Sequence, residues 1–167
     1  MTSNTKTPHL EHIDDEKTMR HALKAARRAG LAGEPPIGAA LIRDDQIISI
    51  ASNTIISSVD ITAHAEINVI RHTCSKERTI DLSGCKLYTT VEPCPMCYAA
   101  SHYVGISHIV FGASREDLHA VTGSEMQSGP RPEATGGGPI VSGGCLHSES
   151  KSLLNDWHER RNKSNSK

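Results

Sequence analysis

The sequence predicts an α/β protein, a three-layer α/β/α sandwich with a central mixed sheet of about five strands. Short runs rich in β-formers alternate with stretches of helical periodicity, in the order α, β, β, α, β, α, β and a final helix. Gly, Pro and Asp clusters punctuate the runs. The chain has 167 residues, 37% of them hydrophobic and 22% charged, which suits one closed core in a soluble protein.

Each element has a local reason. Asp14 or Asp15 reads as a helix N-cap, and Met19, Leu23, Ala26 and Leu31 then recur at helical spacing. Gly30 and Gly33 end that helix, and Pro35-Pro36 forbids its continuation. Ile37 to Ile42 and Ile47 to Ala51 read as strands joined by the tight polar turn Asp44-Asp45-Gln46. Asn53 to Thr62 reads as loop. A helix follows to about His72, with Ile67, Val69 and Ile70 toward the core. Lys86 to Val91 is a β-rich run. Pro93 stands where a helix begins, with Cys94 to about Tyr103 as its body. His108 to Phe111 is a further strand. Residues 122 to 144 are rich in Gly, Ser and Pro and read as a long loop, with a last short strand near Ile140-Val141. Ser148 to about Arg161 closes the chain as an amphipathic helix carrying Leu153, Leu154 and Trp157. These elements form one domain over residues 1–167, with polar tails at 1–12 and 162–167.

Composition narrows the function classes. The formal net charge of -1 gives no overall basic excess for a nucleic-acid partner, although a local patch such as Arg160, Arg161 and Lys163 keeps that reading open. No stretch approaches the roughly 20 apolar residues of a spanning helix, and no apolar signal core follows Met1, so a cytoplasmic location is expected. Five cysteines without a secretory signal are better read by spacing than as a disulfide framework.

Two segments carry chemistry: His64-Ala65-Glu66, and Pro93-Cys94-Pro95-Met96-Cys97. Cys94 and Cys97 stand three apart at a helix start, which puts both sulfurs on one face and favours the thiolate. His64, also near a helix start, offers a third metal ligand. Three protein ligands leave a position for water, as in catalytic zinc sites, and Glu66 is placed to act as the base. Alternatives remain at this level. An isolated C-x-x-C also suits a redox pair or half of a structural zinc site, and a fourth ligand from Cys145 or another His would make the site structural.

Together, H-x-E followed by P-C-x-x-C is the signature of zinc nucleobase deaminases. Thr62-Ala63-His64-Ala65-Glu66 and Thr90-Val91-Glu92-Pro93-Cys94-Pro95-Met96-Cys97 resemble the cytidine deaminase superfamily. Within it they resemble the branch of bacterial guanine deaminases, fungal-type cytosine deaminases and tRNA adenosine deaminases. Pro36-Ile37-Gly38-Ala39 is similar to that branch's first-strand motif.

The resemblance implies one Zn2+ per chain on His64, Cys94 and Cys97, Glu66 as proton carrier, and release of ammonia from a nitrogen heterocycle. It implies base contacts at Asn53, Ile37 and Ala65. Gly123-Ser124-Glu125 followed by Gly129-Pro130-Arg131-Pro132 resembles guanine deaminases, in which an acidic residue at the place of Glu125 is a second proton carrier. Carboxylates in long loops are otherwise ordinarily solvated. Met126-Gln127-Ser128 looks like an insertion, and Ile37 stands where guanine deaminases often carry a stacking aromatic. A pterin, pyrimidine or triazine ring is therefore weighed beside guanine, with Tyr103 or His102 placed to stack on it or to be plain core or dimer surface. The leading expectation is a small-molecule deaminase of the guanine type. A tRNA adenosine deaminase is the alternative, and a non-catalytic zinc module is the reading from another class. The resemblance further implies a homodimer, with a C-terminal segment that either swaps onto the partner or packs on its own sheet.

Overall fold

The computed structural model describes residues 14–123 and 138–165. Helix α1 (Asp15–Leu31) starts at Asp14, whose carboxylate accepts from Glu16 N at 3.1 Å. Asp15 and Glu16 in its first turn and Arg28 in its last complement the helix dipole. Strands β1 (Gly38–Arg43) and β2 (Gln46–Ser52) follow as an antiparallel hairpin. Asp44 and Asp45 both take left-handed backbone, φ 50° and 56°, as a two-residue hairpin turn demands.

Helix α2 (Ala65–Glu77) runs a turn longer than the sequence pattern indicated, and Ile67, Val69 and Ile70 are buried as expected. Then come β3 (Lys86–Val91), α3 (Pro95–Tyr103) and β4 (His108–Ala113). Helix α4 (Arg115–Thr122) lies in a stretch to which the sequence pattern assigned no element. It begins at a reciprocal capping box: Asp117 N donates to Ser114 Oγ, and Ser114 N donates to the Asp117 carboxylate. A three-residue strand β5 (Ile140–Ser142) and α5 (His147–Asn165) complete the chain.

The sheet order is β2-β1-β3-β4-β5. β1 pairs antiparallel with β2 and β3, while β3, β4 and β5 run parallel. The sheet is therefore mixed, as expected. Side chains alternate across it. Ala40 opposite Tyr88 packs with Met19, Ala22, Leu23 and Ala26 of α1 and Leu153 of α5. Leu41 opposite Leu87 packs on the other face with Val69 and Ile70 of α2. Tyr88 is fully buried and donates its hydroxyl to Asp15 at 2.6 Å, which ties the first turn of α1 to the sheet. Helix α5 rests on β4 and on α1 of its own chain, and Leu153, Leu154 and Trp157 are buried there. Within the chain, the C-terminal helix covers its own sheet. Among the described residues no helix is long and apolar enough to cross a membrane.

Candidate metal centre and substrate cavity

Topology brings the candidate residues to one end of the strands. Because β1 is antiparallel to β3, the entry to β1 lies beside the exit of β3. Ile37 precedes β1, Asn53 follows β2 and Glu92 to Cys94 follow β3. Asn53 N donates to Ile37 O at 2.9 Å, and Gly38 N to Thr90 Oγ1 at 3.1 Å.

His64 is the N-cap of α2 and Cys94 the N-cap of α3, both in extended backbone, and Cys97 lies in the first turn of α3 behind Pro95. Both helices direct their positive N-terminal ends at the same point, which favours thiolate and metal-bound anion there. His64 Nδ1 stands 3.7 Å from Cys94 Sγ and 3.5 Å from Cys97 Sγ, and the sulfurs are 3.7 Å apart. A tetrahedral ion with bonds of about 2.3 Å to sulfur and about 2.05 Å to nitrogen needs ligand separations of about 3.8 and 3.6 Å. The donor set and its spacing fit zinc.

Among the described residues these three are the one group of His, Cys, Asp and Glu whose donor atoms converge in this way. Cys145, considered as a fourth ligand, packs instead with Met19 and Tyr88 on the opposite face of the sheet. Its backbone N–H donates to Phe111 O, which holds it there. The two site thiols differ: the hydrogen bond from Cys97 pulls Cys94 down to about 4, against the opposing effect of burial, and the same bond pushes Cys97 up.

Glu66, two residues along α2, is only 3% exposed and faces a cavity of about 250 Å³ that His64 and Cys94 also line. Burial pushes its carboxyl up to about 7, although positive charge at His64 opposes the shift. Asn53 and Ile37 line the same cavity, as expected. Asn53 Oδ1 accepts from Ile55 N at 3.0 Å, which fixes the orientation of the amide. Its Nδ2 is then the polar group left to meet a substrate acceptor.

Two of the expected contact residues lie off this cavity, and a third lies outside the described residues. Tyr103 is 86% exposed at the end of α3 and does not line the cavity. The phase of the helix explains this: Cys97, Tyr98 and Ser101 face inward, and a residue two places beyond Ser101 points to the other side. His102 is exposed beside it, its ring 6.2 Å from that of Tyr103. Ala65 is fully buried between His64 and Glu66 without lining the cavity. Glu125 lies outside the described residues.

The sequence reading missed the far wall. Trp157 and Arg161 of α5 and Leu118 and Thr122 of α4 line the cavity together with Ile37 and Asn53. Trp157 is 7% exposed, and Arg161 lies over its ring with the guanidinium carbon 5.3 Å from the ring centre. An aromatic surface is therefore present, but on the C-terminal helix rather than at position 37.

A mixed five-stranded sheet with one His and two Cys at two helix starts, and a buried glutamate beside them, defines the class of zinc-dependent deaminases. Residues 12–113 match the cytidine and deoxycytidylate deaminase zinc-binding region, and the chain belongs to that family. A tRNA-specific adenosine deaminase of Agrobacterium fabrum is 38% identical over 144 residues, 86% of this chain and 93% of that protein. A solved tRNA:A34 deaminase is similar with 37% identity and a TM-score of 0.71, over 81% of this chain and 97% of that one. A guanine deaminase from Nitrosomonas europaea is similar with 29% identity and a TM-score of 0.78, over 86% of this chain and 84% of that one.

Proposed function

We propose that the chain is a zinc-dependent hydrolytic deaminase whose substrate is adenosine in tRNA, converted to inosine with release of ammonia. This replaces free guanine as the leading substrate. The observation that carries it is the Agrobacterium fabrum relative, a tRNA-specific adenosine deaminase, whose likeness runs through 93% of its length. Arg161 agrees with it: among the described lining residues it is the one Arg or Lys, the kind of group the backbone of a polynucleotide needs.

His64, Cys94 and Cys97 would hold the zinc ion, which would supply the Lewis acidity that makes water nucleophilic near neutral pH. Glu66 takes the proton of the attacking water, delivers it to the ring nitrogen and then passes a proton to the leaving amine. One water enters, the C–N bond breaks, and a carbonyl and ammonia result. Asn53 Nδ2 holds the base by an acceptor on its ring. Ile37, Val91 and Leu118 keep the cavity apolar around it.

Free guanine is the second reading, supported by the fold likeness to the Nitrosomonas europaea enzyme. Ammonia release from the zinc-loaded protein separates the two. Turnover of tRNA with inosine in the product, and none of guanine, adenine, cytosine, pterins or aminotriazines, is the expected result. Turnover of free guanine alone overturns the tRNA reading. A zinc protein inert on every substrate leaves the non-catalytic module.

A further inference from the structure

Glu34 lies between the end of α1 and the Pro35-Pro36-Ile37 wall, and it is 5% exposed. Its backbone N–H donates to Ala29 O at 3.0 Å, which fixes it against α1. Its carboxylate reaches across to the loop after β2, where Oε2 accepts from Ile56 N at 3.0 Å and Oε1 from Ser57 N at 2.7 Å. A buried carboxylate matched by two backbone donors is a strong, directional link. It joins the two stretches that bound one side of the cavity, Pro35 to Ile37 and Asn53 to Ile55.

The loop needs such a link. Asn53 N still pairs with Ile37 O, but beyond Asn53 the chain leaves the sheet. Ile56, Val59 and Ile61 are 58%, 92% and 74% exposed, so little side-chain burial holds the tip. Val59 has φ 52°, a conformation that disfavours a β-branched residue. The far end has its own anchors. Asp60 accepts from Thr62 N at 2.8 Å and pairs with Arg71, and Asn68 Nδ2 donates to Ser52 O, Thr54 Oγ1 and Ala63 O. Those contacts secure residues 60 to 63 and, through Ser52 and Thr54, the start of the loop. Inside the loop, Val59 N donates to Ile56 O and Ser57 Oγ to Thr54 O, and the carboxylate of Glu34 ties residues 56 and 57 to the chain outside it.

We infer that Glu34 is a positioning residue that sets the width of the substrate cavity by clamping the loop at Ile56 and Ser57 to the Pro35–Ile37 wall. It touches neither the zinc ligands nor Glu66, so it acts on how tightly the base is held and not on the chemical step. The inference rests on the deaminase reading of the cavity but not on the choice of substrate.

The test compares zinc-loaded wild type with Glu34→Gln, which keeps the volume but replaces one acceptor by a donor, and with Glu34→Ala. Zinc content, amide hydrogen exchange, and KM and kcat on tRNA and on guanine are measured in parallel. The expected result for Glu34→Gln is full zinc content, faster exchange at Ile56 and Ser57 with α2 unchanged, KM raised about tenfold and kcat within about twofold. Glu34→Ala should show the same pattern, enlarged. Unaltered exchange at Ile56 and Ser57 overturns the clamp, as does faster exchange with an unchanged KM, or a fall in kcat alone. Wild type active on guanine but not tRNA overturns the proposed substrate and leaves Glu34 to be judged on guanine.

Discussion

The guanidinium of Arg161 lies over the ring of Trp157, 5.3 Å from its centre, and both side chains line the cavity that holds Glu66. Arg161 braces the indole and adds a cation beside it. Because Trp157 is the chain's one tryptophan, its fluorescence reports events in this cavity. A purine base entering it should quench that emission with the same midpoint that turnover shows. Trp157→Ala should raise KM about tenfold, the range of one base–aromatic stack, while Trp157→Phe should recover most of the loss. Unchanged fluorescence at saturating substrate would place the base elsewhere.

Arg161 itself should separate substrate classes. Arg161→Ala should weaken binding of an anticodon stem-loop RNA and reduce the slope of log affinity against log salt by about one, as for a single phosphate contact. Anisotropy titrations at several salt concentrations read this directly. Binding of a free base should be unaffected by salt in both proteins.

The zinc site makes a paired prediction. His64→Ala, Cys94→Ala and Cys97→Ala should each lose the metal, because each removes one of three converging donors. Glu66→Gln should retain one zinc per chain and lose turnover by at least about a hundredfold. Metal analysis and ammonia release distinguish the two outcomes. A Glu66→Gln enzyme with near-normal rate would remove that carboxylate from the mechanism.

The zinc ligands were legible in the sequence because all three sit at helix starts marked by local chemistry: His64 ahead of an apolar helix, and Cys94 ahead of Pro95. The strands were legible because β1 is a nearly continuous apolar run and β3 is rich in β-branched and aromatic residues, as befits central strands covered on both faces. Helix α4 was missed because only Leu118 of its eight residues is buried, so periodicity is faint. The usable local signal is Ser114-x-x-Asp117, a capping pair. Trp157 was legible only as part of an amphipathic helix that packs on its own sheet or swaps onto a partner. No local pattern brings a residue of the last helix to a cavity formed by Ile37 and Asn53, since that proximity arises only when α5 folds back over β4 and α1.

Asp117 fastens the far wall of the cavity. It accepts from His147 Nε2 at 2.8 Å and pairs with Lys151 Nζ at 2.8 Å, both on α5, while also accepting from Ser114 N and Oγ in its own cap. Burial alone would raise its carboxyl, but the bonds from Lys151, His147 and Ser114 outweigh this and hold it well below the usual carboxylate range. The folded form therefore favours the ionised state. The resulting stability is fully present above the unfolded value of about 3.9 and is lost as pH falls toward the folded one. Asp117→Asn should lower stability by about 1–3 kcal/mol at pH 7. Urea unfolding of both proteins should converge as the pH drops below about 4. A constant gap down to the lowest accessible pH would show that the charge is not what matters.

Gly38 decides how closely α1 approaches the sheet. A Cβ there would stand 2.1 Å from the carbonyl oxygen of Ala22 and 2.7 Å from the backbone nitrogen of Ala26. Both are main-chain atoms inside a helix whose Ala22 and Ala26 are fully buried, so no flexible side chain can move aside. Gly38→Ala must push α1 off β1, or shift β1 and with it the neighbouring Ile37 wall. Thr90 Oγ1 resists the second course, because it accepts from Gly38 N at 3.1 Å in the buried core. Overpacking of this kind costs about 3 kcal/mol, equivalent to a Tm fall of about 6–12 °C in a chain of this size. Scanning calorimetry of the zinc-loaded variant measures it. A fall of less than about 2 °C would mean that α1 is not seated on Gly38 in the native protein.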